Sequence, residues 1–327
     1  NIFNTISLIN AIPYKNDYSY FFATTNIMKK LFPVSLFLIS CLIAETGFPA
    51  FDVFSSSAEL GLGGAGFLNP SPISAKINPA VADSGRLFST SIIRFPASIT
   101  SQNAGLSLPW KSGVGSISVR HISYGTFEGY DSDFQSTGTY QSGDTWLKVG
   151  FAKPMSRLPI RYGTTAQYFS STLKEHQIKA LLFSFGSVLT LHRFRAKFGV
   201  SFHQVGKMFG GEILANGSIK TKTVLSGSKQ LIHLPLTLFL DTIFEKNTAE
   251  PEVFLGGNFK LKNGLQIRWG TSSRKLDHNT KQDFLRSTLG ASGFGIGFIS
   301  GATSINYGAF IFGSGVSVHG LDIGIKF

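Results

Sequence analysis

The sequence has little cysteine and little charge. Its 327 residues contain a single cysteine, Cys41, which lies in an apolar segment near the N-terminus. We expect the chain after that segment to be cysteine-free, which excludes disulfide bonds and thiol catalysis there. Only 15% of the residues are charged, whereas about a quarter are charged in an ordinary soluble protein. This shortage disfavours a conventional soluble domain.

A long apolar run is also missing. Beyond residue 44 no stretch reaches the roughly 20 apolar residues that a membrane-spanning helix needs. Glycine and phenylalanine are abundant instead, with 36 and 31 residues. A β-barrel in lipid explains both excesses, because its outer face must be apolar while its tight turns and close strand contacts use glycine.

The N-terminal region is typical of an exported protein. Met28-Lys29-Lys30 precedes an apolar run from Leu31 to Ala44, which fits a signal peptide and is too short for a spanning helix. We therefore predict a signal peptide over residues 28–44. Because Met28 is the first methionine, we expect residues 1–27 to be translated upstream sequence. Lipidation of Cys41 is an open alternative, since Leu38-Ile39-Ser40-Cys41 resembles a lipoprotein cleavage box.

From Leu87 onward, short segments rich in β-branched and aromatic residues recur. Clusters of glycine, serine, asparagine, aspartate and proline separate them, which is typical of all-β proteins. The segments that qualify as strands, among them Leu231–Phe244, come to an odd number. Single-chain bacterial barrels have even numbers, so we assign a missing strand to Ile213–Leu225.

The last segment, Val316–Phe327, shows the membrane pattern most clearly. Apolar residues alternate there with polar residues or glycine, the period of a strand with one apolar face. The alternating apolar residues are Leu321, Ile323, Ile325 and Phe327. We predict that they close an outer-membrane barrel and form the insertion signal for the barrel assembly machinery. Val316 and Val318 are out of phase with them, so we expect a bulge at His319-Gly320.

Residues 45–83 have a different composition. Phe51–Asp83 is glycine-rich and weakly charged, which is typical of compact irregular structure. Irregular backbone at membrane depth must be shielded by protein, so we predict a plug, or hatch, inside the barrel. The segment Gly290–Phe298 has almost no side chains on one face, which leaves room for a plug in the lumen. The barrel then takes residues 84–327.

Motifs for catalysis and cofactor binding are weak. Gly61, Gly63 and Gly66 have the spacing of a dinucleotide-binding loop, but no buried strand precedes them and no alternation of strands and helices follows. The seven histidines lack metal-ligand spacing, and no serine lies in a Gly-x-Ser-x-Gly elbow. We predict no enzymatic activity, no cofactor and no metal site.

The charged clusters are short. The net charge is +12, but no run of five basic residues exists, so we expect no nucleic-acid binding. We place the basic clusters Leu191–Lys197 and Ile219–Lys222 at strand ends or loops, in reach of outer-membrane lipid and lipopolysaccharide phosphates. Asp131, Asp133 and Asp144 lack a calcium-ligand pattern, and we expect a solvated loop around them.

The order of several short motifs resembles the PorV/PorQ family, within the FadL-like group of 14-stranded outer-membrane barrels. The motifs are Ala58–Gly66, Ile77–Ala80, Tyr124–Phe127, Gly150–Pro154 and Leu289–Phe298. Leu231–Leu236 favours the PorQ branch. The resemblance implies an accessory role in type IX protein secretion, with secretion-system proteins or secreted cargo as partners and no catalytic residues. It also implies that Asn78, Pro79 and Ala80 belong to the hatch.

We therefore predict an all-β protein of the bacterial outer membrane, a transmembrane antiparallel β-barrel of about 14 strands with an irregular N-terminal plug. The leading function is a PorV/PorQ-like component of type IX secretion that binds or anchors cargo at the cell surface. The alternative is a FadL-like importer of hydrophobic small molecules or fatty acids, with a lateral opening through a kinked strand. An apolar pocket reaching the barrel wall favours import, whereas a sealed lumen favours partner binding.

Overall fold

The computed structural model describes residues 53–82, 85–131, 133–173, 176–210, 219–245, 250–275, 289–312 and 316–327. In this part of the chain, 14 antiparallel strands form a closed barrel, in which each strand pairs with its sequence neighbours and β1 pairs with β14. The strands are β1 (Leu87–Arg94), β2 (Thr100–Trp110), β3 (Gly113–Tyr130), β4 (Ser136–Pro154), β5 (Ile160–Leu173), β6 (His176–Leu191), β7 (Ala196–Phe209), β8 (Lys222–Gln230), β9 (Leu236–Glu245), β10 (Glu252–Lys260), β11 (Leu265–Ser272), β12 (Ser292–Ser300), β13 (Thr303–Ile311) and β14 (Ser317–Lys326). The predicted fold class is confirmed.

Helical structure is sparse. In the part of the chain that the structure describes, one short α-helix, α1 (Ser57–Gly61), precedes the barrel, and 3-10 turns cover His192–Phe194 and Ser273–Lys275. In the described residues, no helix has both the length and the apolar character that spanning a bilayer requires. The predicted signal peptide, the upstream segment and Cys41 lie outside the described residues.

The strands alternate between an inner polar face and an outer apolar face. In β14, Leu321 and Ile323 are exposed on the outside, whereas Val318 and Asp322 are buried on the inside. Because β1 pairs with β14, neither the first nor the last strand of the barrel presents an open edge to lipid. This architecture confirms the predicted location in the bacterial outer membrane.

The predicted bulge at His319-Gly320 is wrong. Strand β14 pairs residue for residue with β1 from His319 to Lys326 and with β13 from Ser317 to Ile325, so both registers run through His319-Gly320 unbroken. Val318 is out of phase with Leu321 because it faces the lumen, where it packs with Phe54 and Leu60 of the plug. An apolar residue on the inner face therefore marks a protein contact, not a break in the strand.

Several strand boundaries differ from the prediction, and those of β8 and β9 have a clear explanation or consequence. Strand β9 begins at Leu236 and not at Leu231, because Pro235 has no N–H to donate to a strand ladder. The backbone N–H of Leu231 donates instead to the carbonyl of Leu236 across a tight turn, at 2.9 Å. The strand that we assigned to Ile213–Leu225 is β8, which begins at Lys222; residues 211–218 lie outside the described part.

The solvated loop that we expected around Gly129–Gly143 is mostly a β-ribbon. Strand β3 pairs with β2 only as far as Ser123, and β4 pairs with β5 only from Ser142 onward. Beyond these points β3 and β4 continue to pair with each other up to Tyr130 and Ser136. The two strands therefore project as a ribbon beyond the rim of the barrel.

The two ends of the barrel have different connections. At one end, which we call the turn side, strands join through short links such as residues 111–112 and 301–302. At the other end, the loop side, the connections include residues 210–221 and 276–291. Short turns face the periplasm and long loops face outward in barrels of this kind. The basic cluster Leu191–Lys197 lies on the turn side, so only Ile219–Lys222 is placed to face the outer leaflet.

Candidate functional site

The N-terminal segment 53–82 fills the lumen and is tied to the wall by hydrogen bonds. Helix α1 begins in the lumen, and Asp322 on β14 accepts hydrogen bonds from the backbone N–H groups of Ser57 at 2.8 Å and Ala58 at 3.3 Å. The N-cap hydroxyl of Ser56 accepts from the N–H of Glu59 at 3.2 Å. Free N–H groups at a helix start need such acceptors, so one wall carboxylate fixes the start of the plug.

Further inward-facing polar side chains hold the plug around its circumference. Asp241 on β9 accepts from the N–H of Gly66 at 2.7 Å and the N–H of Phe67 at 3.4 Å. Four other wall residues donate to plug carbonyls: Asn103 to Ser55, Arg120 to Val53, Lys148 to Ser74 and Arg161 to Ala82. Because buried polar groups are costly when unpaired, these bonds make the closed plug a well-defined state.

The predicted hatch residues Asn78, Pro79 and Ala80 lie against β5 to β7. Asn78 is fully buried, and its Nδ2 donates to the carbonyls of Ser187 at 3.2 Å and Val200 at 3.1 Å. Its Oδ1 accepts from the N–H of Ala80 at 2.9 Å. The structure thus places these residues in the plug as an anchor, and their role in a hatch stays a prediction.

Glycines on the inner wall allow the plug backbone to approach closely. A Cβ at Gly270 would lie 1.9 Å from the carbonyl oxygen of Leu62, and one at Gly293 would lie 1.9 Å from that of Leu60. Further inner-face glycines that contact the plug are Gly163, Gly186, Gly199, Gly256, Gly295, Gly308 and Gly320. The prediction that Gly290–Phe298 leaves room for a plug is therefore confirmed.

The glycine spacing at Gly61, Gly63 and Gly66 has a structural cause. Gly63 and Gly66 have φ values of +62° and +101°, which side-chain-bearing residues rarely adopt. Gly61 ends α1 against Gly295 of the wall. These residues therefore shape the turns and contacts of the plug.

On the loop side of the plug, the lumen contains a compact apolar cluster. Its buried members are Ile122, Trp146, Phe169, Ala180, Leu182 and Ile219. The ring centroids of Trp146 and Phe169 are 4.9 Å apart, and Met208 packs against the cluster. The guanidinium carbon of Arg120 lies 3.8 Å from the Trp146 ring centroid, between the cluster and the plug. We call this set the loop-side cluster.

The barrel wall beside this cluster contains an irregular seam between β7 and β8. The register of β6 against β7 shifts between Phe183 and Phe185, and Gln204 has a φ of +62°. Strand β7 pairs with β8 only up to the pair His203 and Lys222, although β7 continues to Phe209. In the described residues, the end of β7 from Gln204 to Phe209 therefore has a strand partner on the β6 side alone. Bulges of this kind bend a strand and end pairing.

A small crevice of about 40 Å³ lies between the plug and this seam. Its lining includes Phe67 and Lys76 of the plug, and His203, Gln204 and Val224 of the wall. The seam therefore borders the lumen at a point where the plug and the wall are not fully packed.

On the turn side of the plug, the lumen is hollow and polar. Two cavities of about 360 Å³ each lie there and share Asn69, Pro70, Asn258 and Lys260 in their linings. One is also lined by Arg268, Asp322 and Lys326, and the other by His192, Arg195 and Lys197. We call the two cavities together the turn-side vestibule.

The other sequence candidates are spread over the molecule. Asp144 is buried in the wall and accepts a hydrogen bond from the hydroxyl of Tyr124 at 2.6 Å. Asp131 lies at the tip of the ribbon, where it accepts from the N–H of Asp133 at 3.0 Å. The structure thus separates Asp144 from the other two aspartates. Within the described ranges, no group of three or more histidine, cysteine or acidic side chains is arranged to hold a metal ion.

The predicted insertion signal lies on the outer face. Leu321, Ile323 and Ile325 are exposed there at 48%, 39% and 42%, as lipid-facing side chains must be. Phe327 follows β14 and donates its N–H to the carbonyl of Arg86 at 3.2 Å. Their recognition by the barrel assembly machinery stays a prediction.

Comparisons with known proteins identify the fold. A FadL homologue of Pseudomonas aeruginosa superimposes with a TM-score of 0.52 and 11% identity, over 84% of this chain and 99% of that chain. The toluene transporter TodX of P. putida gives a TM-score of 0.51 and 7% identity, over 83% and 98%. The chain has the FadL-like barrel fold. No protein-family model matches it, and no curated protein matches it. The finer assignment to the PorV/PorQ branch gains no support from these comparisons.

Proposed function

We propose that the protein imports small hydrophobic molecules through a plugged barrel. The observation that carries this proposal is the β7–β8 seam, which borders both the lumen crevice and the loop-side cluster. A FadL-like fold supports it, and one solved relative of that fold is described as a toluene transporter. The seam offers a route from the lumen into the bilayer that does not require the plug to leave.

The loop-side cluster is suited to receive an apolar ligand. It combines aromatic walls with Ile219, which comes from the β7–β8 connection, and with Met208, whose unbranched side chain adapts its shape easily. A ligand that displaces these two side chains keeps apolar surface buried. The proposed path runs from the loops, through the cluster, to the seam beside Gln204.

The test is uptake of radiolabelled toluene or a long-chain fatty acid by cells that express the protein in place of their own importers. Ala180→Trp fills the cluster at a position that is 0% exposed. Leu181→Trp adds the same side chain one residue away, on the lipid face, where Leu181 is 43% exposed. Uptake should fall strongly in the first variant and stay close to the unmodified level in the second.

Folding is checked by heat-modifiable migration in gels, because an overpacked core is itself destabilising. Ile219→Asp provides a second variant outside the strands, and it should lower uptake with the barrel intact. Uptake no higher than in cells without the protein, or equal loss with Ala180→Trp and Leu181→Trp, would refute the proposal.

A second candidate is the PorV/PorQ-like role in type IX secretion, which the β3–β4 ribbon favours. The ribbon carries Phe127 stacked on Tyr140, with ring centroids 5.6 Å apart, and Phe134 at its tip is 85% exposed. Exposed aromatic side chains are common in binding surfaces. Recovery of secretion-system proteins or cargo with the protein from native outer membranes, lost when Phe134 is changed to Ser, would favour this role.

A further inference from the structure

The turn-side vestibule is chemically unlike the rest of the lumen. We propose that it binds a small polyvalent anion that carries phosphate or carboxylate groups and enters from the turn side. The two cavities share Lys260, so one ligand in either of them, or across both, contacts the same cation. The proposal does not depend on the import of hydrophobic molecules, because the plug separates the vestibule from the loop-side cluster.

Basic side chains from separate strands converge on this space. Lys260 lines both cavities, Arg268 and Lys326 line one of them, and Lys197 lines the other. Like charges held together on a rigid wall raise each other's energy, and a polyvalent anion placed among them lowers it.

Counter-charges from the protein are scarce there. Among the described residues that line the vestibule, the one carboxylate is Asp322, whose oxygens accept hydrogen bonds from the N–H groups of Ser57 and Ala58. Within the described ranges, salt bridges pair Lys220 and Lys222 with Glu245, and Arg274 with Glu252, on the loop side. None of these salt bridges involves Lys197, Lys260 or Arg268, and the attraction that Arg268 does experience comes from Asp322 across the same cavity.

Arg268 is the buried group that best fits an anion site. Arg268 is only 6% exposed. Its Nη2 donates to Oε1 of Gln266 at 2.6 Å and to Oδ1 of Asn306 at 2.9 Å. Its Nε and Nη1 have no hydrogen-bond partner among the described residues and are themselves covered, so the guanidinium must turn toward the vestibule to bind an anion through them. A guanidinium offers a planar fork of donors that matches phosphate and carboxylate oxygens.

The size and opening of the vestibule favour a small molecule over a folded partner. Each cavity is about 360 Å³, and Asn69 and Pro70 of the plug close the inner end of both. Turn residues such as Gly301 and Arg195 form the outer rim. A ligand must therefore fit within a space of small-molecule dimensions.

The test is isothermal titration calorimetry of the full-length protein in a zwitterionic detergent. Inorganic pyrophosphate and citrate are the probes, and sodium chloride of equal ionic strength is the blank. We expect saturable binding of at least one probe, weakened about tenfold or more by Lys260→Gln. Lys262→Gln is the matched control, because Lys262 lies exposed in the adjacent turn outside the lining and should leave binding unchanged.

The outcomes separate the possible sources of the anion. Binding of pyrophosphate but not citrate supports a phosphate ligand, and the reverse supports a carboxylate ligand. If Lys260→Gln does not fold, the double variant Lys197→Gln/Lys326→Gln, which removes one cation from each cavity, replaces it with the same expectation. The proposal would be overturned if neither probe bound saturably, or if Lys260→Gln and Lys262→Gln lost affinity equally. It would also be overturned if hexaglutamate, a peptide, bound while both small probes did not.

Discussion

The two halves of the lumen on either side of the plug differ in almost every property. The loop side is apolar and packed, with Phe169 and Leu182 at 0% exposure. The turn side is polar and hollow, with Lys260 exposed within the barrel. Both halves are formed by the same alternating strands. The difference arises because the inward-facing residues of these strands are apolar toward the loop side and polar toward the turn side. A single barrel thus offers two chemically distinct compartments.

The plug is what keeps these compartments apart. Its backbone lies on wall glycines and its polar groups meet Asp241 and Asp322 on the wall. Close backbone contact excludes water and ligand, while the hydrogen bonds fix one register. We therefore expect different effects for substitutions on the loop side of the plug, at the contact between plug and wall, and on the turn side.

The largest loss of stability is expected on the loop side of the plug, for Phe169→Ala. Removing a fully buried aromatic side chain costs about 3–5 kcal/mol, because the surrounding wall collapses only partly into the space. Phe198→Ala removes the same side chain from the lipid face, where Phe198 is 54% exposed, and should cost clearly less. Denaturant unfolding of both variants in detergent measures the difference. Equal costs would mean that the loop-side cluster is not a packed core.

An intermediate effect is expected where the plug meets the wall, for Gly270→Ala. The added methyl group would lie 1.9 Å from the carbonyl oxygen of Leu62. Since backbone must move, we expect a loss of about 1–3 kcal/mol in the free energy of unfolding, together with increased ion conductance across planar bilayers.

Gly227→Ala is the matched control for the glycine substitution. A Cβ there would meet only the carbonyl oxygen of Leu240, at an ordinary 3.7 Å. Its conductance and unfolding should stay at the unmodified level. A conductance increase in both variants, or in neither, would show that close contact at Gly270 does not seal the lumen.

The barrel and the plug could be predicted because both leave local patterns. Alternation at Leu321, Ile323 and Ile325 indicates a strand with one lipid-facing side, and Gly290–Phe298 indicates a wall without inner side chains. The same alternation misled at Val318, because an apolar residue inside a barrel looks like a slip in phase. Sequence patterns give the period of a strand, and the identity of the neighbour on each face comes only from the fold.

The anchors and the seam could not be predicted, for two physical reasons. Asp322 meets the N–H of Ser57 across 265 residues, and no local spacing records such a contact. The irregular turn of β7 occurs at Gln204, which is not a glycine and so gives no local sign of a positive φ. A single carboxylate on the polar face of an alternating strand, as at Asp241 and Asp322, is a signal that could have indicated an inner anchor.

The smallest effect on stability is expected below the plug, for Lys197→Ala. The residue lines a hollow space and repels Arg161, so its removal should change the free energy of unfolding by no more than about 0.5 kcal/mol.

Pyrophosphate should make the free energies of unfolding of the two proteins differ. If it binds the vestibule, the unmodified protein gains about 2.7 kcal/mol at a concentration of 100 times Kd, whereas Lys197→Ala gains less at the same concentration. Unfolding curves with and without pyrophosphate measure both quantities. A large loss without the anion would show that the vestibule is structural like the loop-side cluster, and equal gains in both proteins would show that Lys197 is not part of an anion site.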